Sequence, residues 1–299
     1  MIDKEFLKSI INNPKIISNL KFFEISRIIA QAKTIFQGEE LLLDLKTDND
    51  KEEIFVIGDI HGNLDSLIAL INLINTQEPK YVIFLGDIVD RGKFQLECLL
   101  IVLALKIQNP ERFYLIRGNH ESLEMNKNYG FFQDFIIRFE DYDKFSEIID
   151  LYNKIPVCIR VNEVILCLHG GIPEDLDILN KIKNLKKKKI PSTELLSIMK
   201  NVFQMMWNDP KEDLKGFKDS FRGQGIKFYG KDVFEKFMKK NKLEYLIRSH
   251  EVFQEGYRFF FDNRMLSIFS STNYRGKQFL NPASYAIIKN NKIYAKILK

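Results

Sequence analysis

Three stretches decide the fold: Glu53-Ile-Phe-Val-Ile-Gly-Asp-Ile-His-Gly-Asn63, Tyr81-Val-Ile-Phe-Leu-Gly-Asp-Ile-Val-Asp-Arg-Gly92 and Phe113-Tyr-Leu-Ile-Arg-Gly-Asn-His-Glu121. Each opens on an apolar run of strand length and breaks into glycine plus polar residues. Between them, Leu64 to Ile74 and Phe94 to Lys106 carry helical spacing, and Asn109-Pro110 stops the second. The order is β-α-β-α-β. Strands that are apolar throughout belong to a parallel sheet buried on both faces. In open α/β sheets ligands sit beyond the carboxyl ends of strands, so the three polar clusters should converge on one edge.

Outward from this centre the pattern is mixed. Residues 1–50 read as helical, with Phe22, Phe23, Ile25, Ile28, Ile29 and Ala32 at spacings of three and four. Residues 131–155 and 174–206 are also helical, and Lys186–Lys189 read as a solvated face. Val164 to Leu168 is a strand ending in His169-Gly-Gly171, and residues 245–288 return to strand character. No repeat or linker divides the chain, so 1–299 reads as one domain, with the 1–50 helices packing on its core.

Composition sets limits on function. Forty-five Lys+Arg against 40 Asp+Glu give a formal charge of +5, too weak to argue for a nucleic-acid partner. The three cysteines, Cys98, Cys158 and Cys167, lie in apolar runs without Cys-x-x-Cys, which excludes a disulfide framework and a thiolate zinc site. The longest apolar run, Cys98 to Leu105, falls far short of the roughly 20 residues that span a bilayer. Met-Ile-Asp-Lys-Glu at the start carries no apolar leader, so a soluble, cytoplasmic protein without a membrane partner is expected.

The histidines carry the chemistry. There are four, His61, His120, His169 and His250, and each follows an apolar strand-like run beside a glycine or a polar cluster. Histidines scattered for packing would not select strand ends. Asp59 and His61 are two apart and would face the same way on extended chain. Asp87 stands one βα unit later, and Asn119-His120 one unit after that. Imidazole with carboxylate suits zinc, iron or manganese.

With these blocks in order, the sequence resembles the phosphoprotein phosphatases, the serine/threonine-specific branch of the calcineurin-like metallophosphoesterases. Leu-His-Gly-Gly (168–171), Met-Trp-Asn-Asp-Pro (206–210), Phe-Arg-Gly-Gln-Gly (221–225), Arg-Ser-His-Glu (248–251) and Phe-Ser-Ser-Thr-Asn-Tyr (269–274) extend the resemblance over roughly residues 20 to 290. It implies an α/β fold of two mixed β-sheets packed as a sandwich and flanked by helices. It implies two divalent metal ions, manganese in vitro and iron or zinc in the cell. Asp59 and His61 would hold one, Asp87 would bridge both, and Asn119, His169 and His250 would complete the other.

The implied reaction is hydrolysis of phosphoserine and phosphothreonine by direct attack of a hydroxide bridging the two metal ions. His120 would protonate the leaving oxygen, and Asp90 would orient it. Arg91, Arg222 and Asn119 would bind the phosphate, and Tyr274 would overhang it. Phosphorylated proteins would be the substrates, with regulatory subunits as partners. Arg275 stands where many relatives carry cysteine, so covalent capture by microcystin-type toxins is not expected. Trp207 and the aromatics at 259–261 read as core.

Other functions compete. Hydrolases of dinucleoside tetraphosphates typically show Gly-Asn-His-Asp, and Glu121 together with residues 270–274 argues against them. A dead binding module would have lost a ligand or the acid, yet all are present. A metallonuclease is the remaining alternative.

Overall fold

The computed structural model describes residues 2–183, 185, 190–276 and 280–298; the Lys186–Lys189 run and residues 277–279 lie outside the described residues. In chain order the strands are β1 (Leu42–Leu45), β2 (Ile54–Ile57), β3 (Tyr81–Phe84), β4 (Phe113–Leu115), β5 (Cys158–Val161), β6 (Ile165–Leu168), β7 (Asp209–Pro210), β8 (Phe217–Asp219), β9 (Lys227–Tyr229), β10 (Tyr245–Arg248), β11 (Tyr257–Phe260), β12 (Met265–Ile268), β13 (Ser284–Lys289) and β14 (Lys292–Ile297).

They form two mixed sheets and a small third. One sheet runs β14-β13-β2-β3-β4, with β2, β3 and β4 parallel and β13 antiparallel to β2. The other runs β1-β5-β6-β10-β12-β11, in which β6, β10 and β12 are parallel. Strands β7, β9 and β8 make the third. Val56, Ile83, Leu85 and Ile116 from the first sheet pack with Cys167, Ile247, Leu266 and Ile268 from the second, all fully buried. Burying each such side chain contributes about 1.5–3 kcal/mol. This is the expected sandwich.

Helices cover both outer faces. On the side of the first sheet lie α1 (Lys4–Asn12), α2 (Phe22–Gly38), α3 (Leu64–Gln77), α4 (Gln95–Gln108), α6 (Phe131–Phe139) and α7 (Tyr142–Tyr152), while α5 (Leu123–Tyr129) packs on α6 beyond the end of β4. On the second lie α8 (Ile178–Ile182), α9 (Ser192–Trp207) and α10 (Lys231–Asn241). Helix α4 is apolar on every side from Cys98 to Leu105 because α1, α2 and the sheet enclose it.

One expectation needs correction. The 1–50 segment is not helical throughout: Leu42–Leu45 is a strand, parallel to β5. Among its described residues the 174–206 segment carries α8 and α9, and Pro191 stands immediately before the second. The three thiols are buried and free, and burial pushes each of them up.

Candidate metal centre and active site

Six strand ends supply the site. β2 delivers Asp59 and His61, β3 delivers Asp87, Asp90 and Arg91, and β4 delivers Asn119 and His120. β6 delivers His169, β10 delivers His250, and β12 leads to Tyr274. The loops clasp one another through the backbone. Ile60 and His61 donate their N–H groups to the Asp87 carbonyl at 3.0 and 2.9 Å, and Gly62 donates to Ile88. This clasp holds His61 (φ 48°), Asp87 (φ 53°), Asp90 (φ 67°), Arg91 (φ 71°) and His250 (φ 73°) in the left-handed region. Each such non-glycine residue costs about 1–3 kcal/mol and persists only where its surroundings fix it. The shared direction of Asp59 and His61 therefore comes from this turn and not from extended alternation.

Glycine is required where the β3 and β4 ends touch. A Cβ on Gly118 would lie 2.2 Å from Asp87 Oδ1, and one on Gly86 would lie 2.2 Å from the Gly118 nitrogen. Glu121 ties the same turns together, accepting from the N–H groups of Asp87 (2.8 Å), Ile88 (3.0 Å) and Gly118 (2.8 Å).

Asp87 stands at the centre. Its Oδ2 lies 3.5 Å from His61 Nε2, 3.4 Å from His169 Nε2 and 4.0 Å from His120 Nε2. Asp59 Oδ2 lies 3.6 Å from His61 Nε2. His169 Nε2 also meets Asn119 Oδ1 at 2.9 Å and His250 Nδ1 at 3.2 Å. The outer nitrogens are already committed: His61 Nδ1 donates to the Val89 carbonyl at 2.9 Å, and His169 Nδ1 to the Leu85 carbonyl at 2.8 Å. Both Nε2 lone pairs are thereby turned inward, toward carboxylate and amide oxygens that are themselves acceptors.

Such a donor set calls for a cation. Asp59 Oδ2 and His250 Nε2 are buried without a hydrogen-bond partner. Ligand atoms of His61, Asp87 and His120, and separately of Asp87, His169 and His250, lie within 4.8 Å of one another. Charge tells the same story. Burial alone would lower His169, but the Asp87 and Asp59 carboxylates overcome it and hold the imidazole up at about 9. Burial, with Asp87 beside it, pushes Glu121 up to about 7. His250 is depressed by burial, with Arg222 and His169 adding to the effect. The surplus of buried negative charge is what a divalent ion would offset; the residues fit divalent ions.

His120 differs from the other histidines. Its Nδ1 faces a carboxylate, Asp90 Oδ2 at 2.7 Å, instead of a carbonyl. Its Nε2 side opens on a cleft of about 1020 Å³ that is also lined by Arg91, Asn119, Arg222, His250 and Tyr274. Asp59, Asp90 and His169 are buried behind that surface. The Arg91 guanidinium lies 3.6 Å over the Tyr129 ring, and Tyr274 stacks on His61 with centroids 4.9 Å apart. All the residues named from sequence thus meet at one place. Trp207 is a correction: it is half-buried and lines the cleft, with its ring against His250.

Sequence reasoning missed several supports. Asp209 binds Arg222 Nε through Oδ2 at 2.5 Å and the fully buried Arg248 through Oδ1 at 2.8 Å. Ser249 donates to Asp59 Oδ1 at 2.5 Å. The blocks Trp-Asn-Asp-Pro and Arg-Ser-His-Glu were the available signal.

A profile of the calcineurin-like phosphoesterases matches residues 53–254, the stretch that carries five of these six strand ends. The chain belongs to that family. The family uses divalent metals and hydrolyses phosphoesters, and this chain is a hydrolase of that class. Among solved structures it is similar to a protein serine/threonine phosphatase from Saccharomyces cerevisiae with similarity to human phosphatase PP5. The identity is 27% and the TM-score 0.83, covering 100% of this chain and 96% of that one. With the signature blocks, this full-length likeness places the chain among the phosphoprotein phosphatases. A cold-active protein-tyrosine phosphatase from a psychrophilic Shewanella shares the fold at 16% identity and TM-score 0.58, over 89% of this chain and 84% of that one. No helix among the described residues is long and apolar enough to cross a membrane.

Proposed function

We propose that this chain is a metal-dependent protein serine/threonine phosphatase acting by direct displacement at phosphorus. The observation that carries this reading is the Asp90–His120 pair at 2.7 Å, opening beside the Asp87-centred donor set on a cleft that also holds Arg91 and Arg222. We assign Asp59 and His61 to one ion, Asp87 to both, and Asn119, His169 and His250 to the other. Manganese is the ion we expect to serve in vitro, with iron or zinc in the cell. When bound, such ions supply Lewis-acid polarisation and water acidic near pH 7.

The chain's own groups do the rest. Arg91, braced on Tyr129, and Arg222, braced on Asp209, present forked donors to phosphate oxygens. Asn119 lines the cleft beside them, and Tyr274 forms its overhang. His120 gives its proton to the departing serine or threonine oxygen, and Asp90 stabilises the imidazolium. The similar yeast phosphatase, Glu121 and the 269–274 block support protein over small-molecule substrates. The chain acts as a single cytoplasmic catalytic unit on phosphoproteins and is open to regulatory subunits.

His120→Asn tests the acid. We expect turnover of a phosphoserine peptide to fall about 10²–10⁴-fold. p-Nitrophenyl phosphate, whose leaving group needs little protonation, should lose far less. Equal losses on both substrates would remove His120 from the role.

A further inference from the structure

Asn126, in the middle of α5, is fully buried. Its Nδ2 donates to Asp90 Oδ2 at 2.9 Å and to the carbonyl oxygen of His120 itself at 2.8 Å. One amide group therefore grips both members of the pair: the carboxylate through its side chain, and the imidazole through the backbone that carries it. Two acceptors on the nitrogen side fix which way the amide faces. Asp90 Oδ1 in turn accepts from the Phe131 N–H at 3.1 Å. Every neighbour bonded to the Asp90 side chain is then a donor: His120 Nδ1, Asn126 Nδ2 and Phe131 N. Such a carboxylate can neither rotate nor offer a proton back. His120 keeps one proton on Nδ1 against Asp90, so the proton it donates is a second one, carried on Nε2 toward the cleft.

A second observation separates this role from ordinary packing. Asn126 Oδ1 is buried without a hydrogen-bond partner. An unmet buried acceptor contributes no stability, so what this side chain fixes it fixes through its nitrogen.

We propose that Asn126 is a positioning residue for proton donation, locking Asp90 and His120 into the geometry that hands a proton to the leaving oxygen. The inference rests on His120 being the general acid. Its test is the dependence of kcat on leaving-group pKa, measured on a phosphoserine peptide, phenyl phosphate and p-nitrophenyl phosphate. Asn126→Ala removes the grip. Asn126→Asp keeps the shape and loses the donor, and it serves if the alanine variant does not fold. Melting temperature and bound-metal equivalents are recorded for each variant, with His120→Asn and Asp90→Asn run alongside.

We expect the Asn126 variants to steepen the dependence, losing on the order of ten- to a hundredfold on phosphoserine and little on p-nitrophenyl phosphate, within the range of general acid catalysis. Adding Asn126→Ala to Asp90→Asn should cost much less than the product of the two single losses on phosphoserine, since the two act largely as a unit. A uniform loss across leaving groups, or additive losses in the double variant, would overturn the proposal while His120→Asn still steepens the line. If His120→Asn also leaves the slope unchanged, the acid assignment falls and this inference falls with it.

Discussion

Asp209 holds Arg222 with one carboxylate oxygen and Arg248 with the other, and Arg248 has no solvent contact. Removing the charge with Asp209→Asn should therefore act twice. It leaves a buried guanidinium relying on Glu251 at 2.6 Å and on the Gly170 carbonyl, a loss we place near the lower end of the roughly 3–5 kcal/mol for breaking a buried pair. It also frees Arg222 from its brace, so KM for a phosphopeptide should rise on the order of tenfold or more. Thermal melts and steady-state kinetics on one preparation check both parts; a fall in melting temperature with an unchanged KM would show that Arg222 needs no brace. At this scale the sequence showed the site ligands well. Histidines are few, and all four stand at strand ends. It did not show Asp209, Asn126 or Ser249 as supports, because their partners lie 13 to 190 positions away and leave no local pattern.

Elements were legible where burial made them uniform. β2, β3 and β4 are apolar along their whole length because both faces are covered, and the parallel β-α-β-α-β unit follows from that. β1 was read as helix because Leu41, Leu42, Leu43 and Leu45 satisfy helical and strand spacing equally in so short a run. β14 lies on a sheet edge and buries only Ile293, so little apolar signal marks it. Strands β7 to β9 are two or three residues long, too short for any period.

The turn between β4 and His120 gives a prediction at this scale. Gly118→Ala puts a methyl group against Asp87 Oδ1 and Asp87 N without touching either sheet core. Secondary structure by circular dichroism should be retained while metal affinity falls about 10–100-fold, the usual cost of disturbing the supports of a ligand. Two full metal equivalents at wild-type affinity would show that Asp87 tolerates displacement.

Across the whole molecule, the sandwich brings together residues from 59 to 274 because both sheets end their parallel strands at the same edge. The inter-sheet core of Val56, Ile83, Cys167 and Leu266 sets the distance between the two halves of the donor set, Asp59 and Asp87 on one sheet and His169 and His250 on the other. Sheet membership could not be read from the chain: β13 enters the first sheet beside β2 although more than 220 residues separate them, and only tertiary pairing decides that. The mild formal charge of +5 hides a cleft in which Arg91, Arg222 and Arg275 stand around buried carboxylates, a distribution suited to an anionic substrate.

The most direct measurement strips the protein with chelator, restores manganese, and follows phosphate release from a phosphoserine/phosphothreonine protein, with a dinucleoside tetraphosphate in parallel. Strong release from the phosphoprotein, dependent on manganese and far exceeding turnover of the dinucleotide, is the predicted result. Turnover of the dinucleotide alone, or of neither substrate with metal bound, would contradict a protein serine/threonine phosphatase.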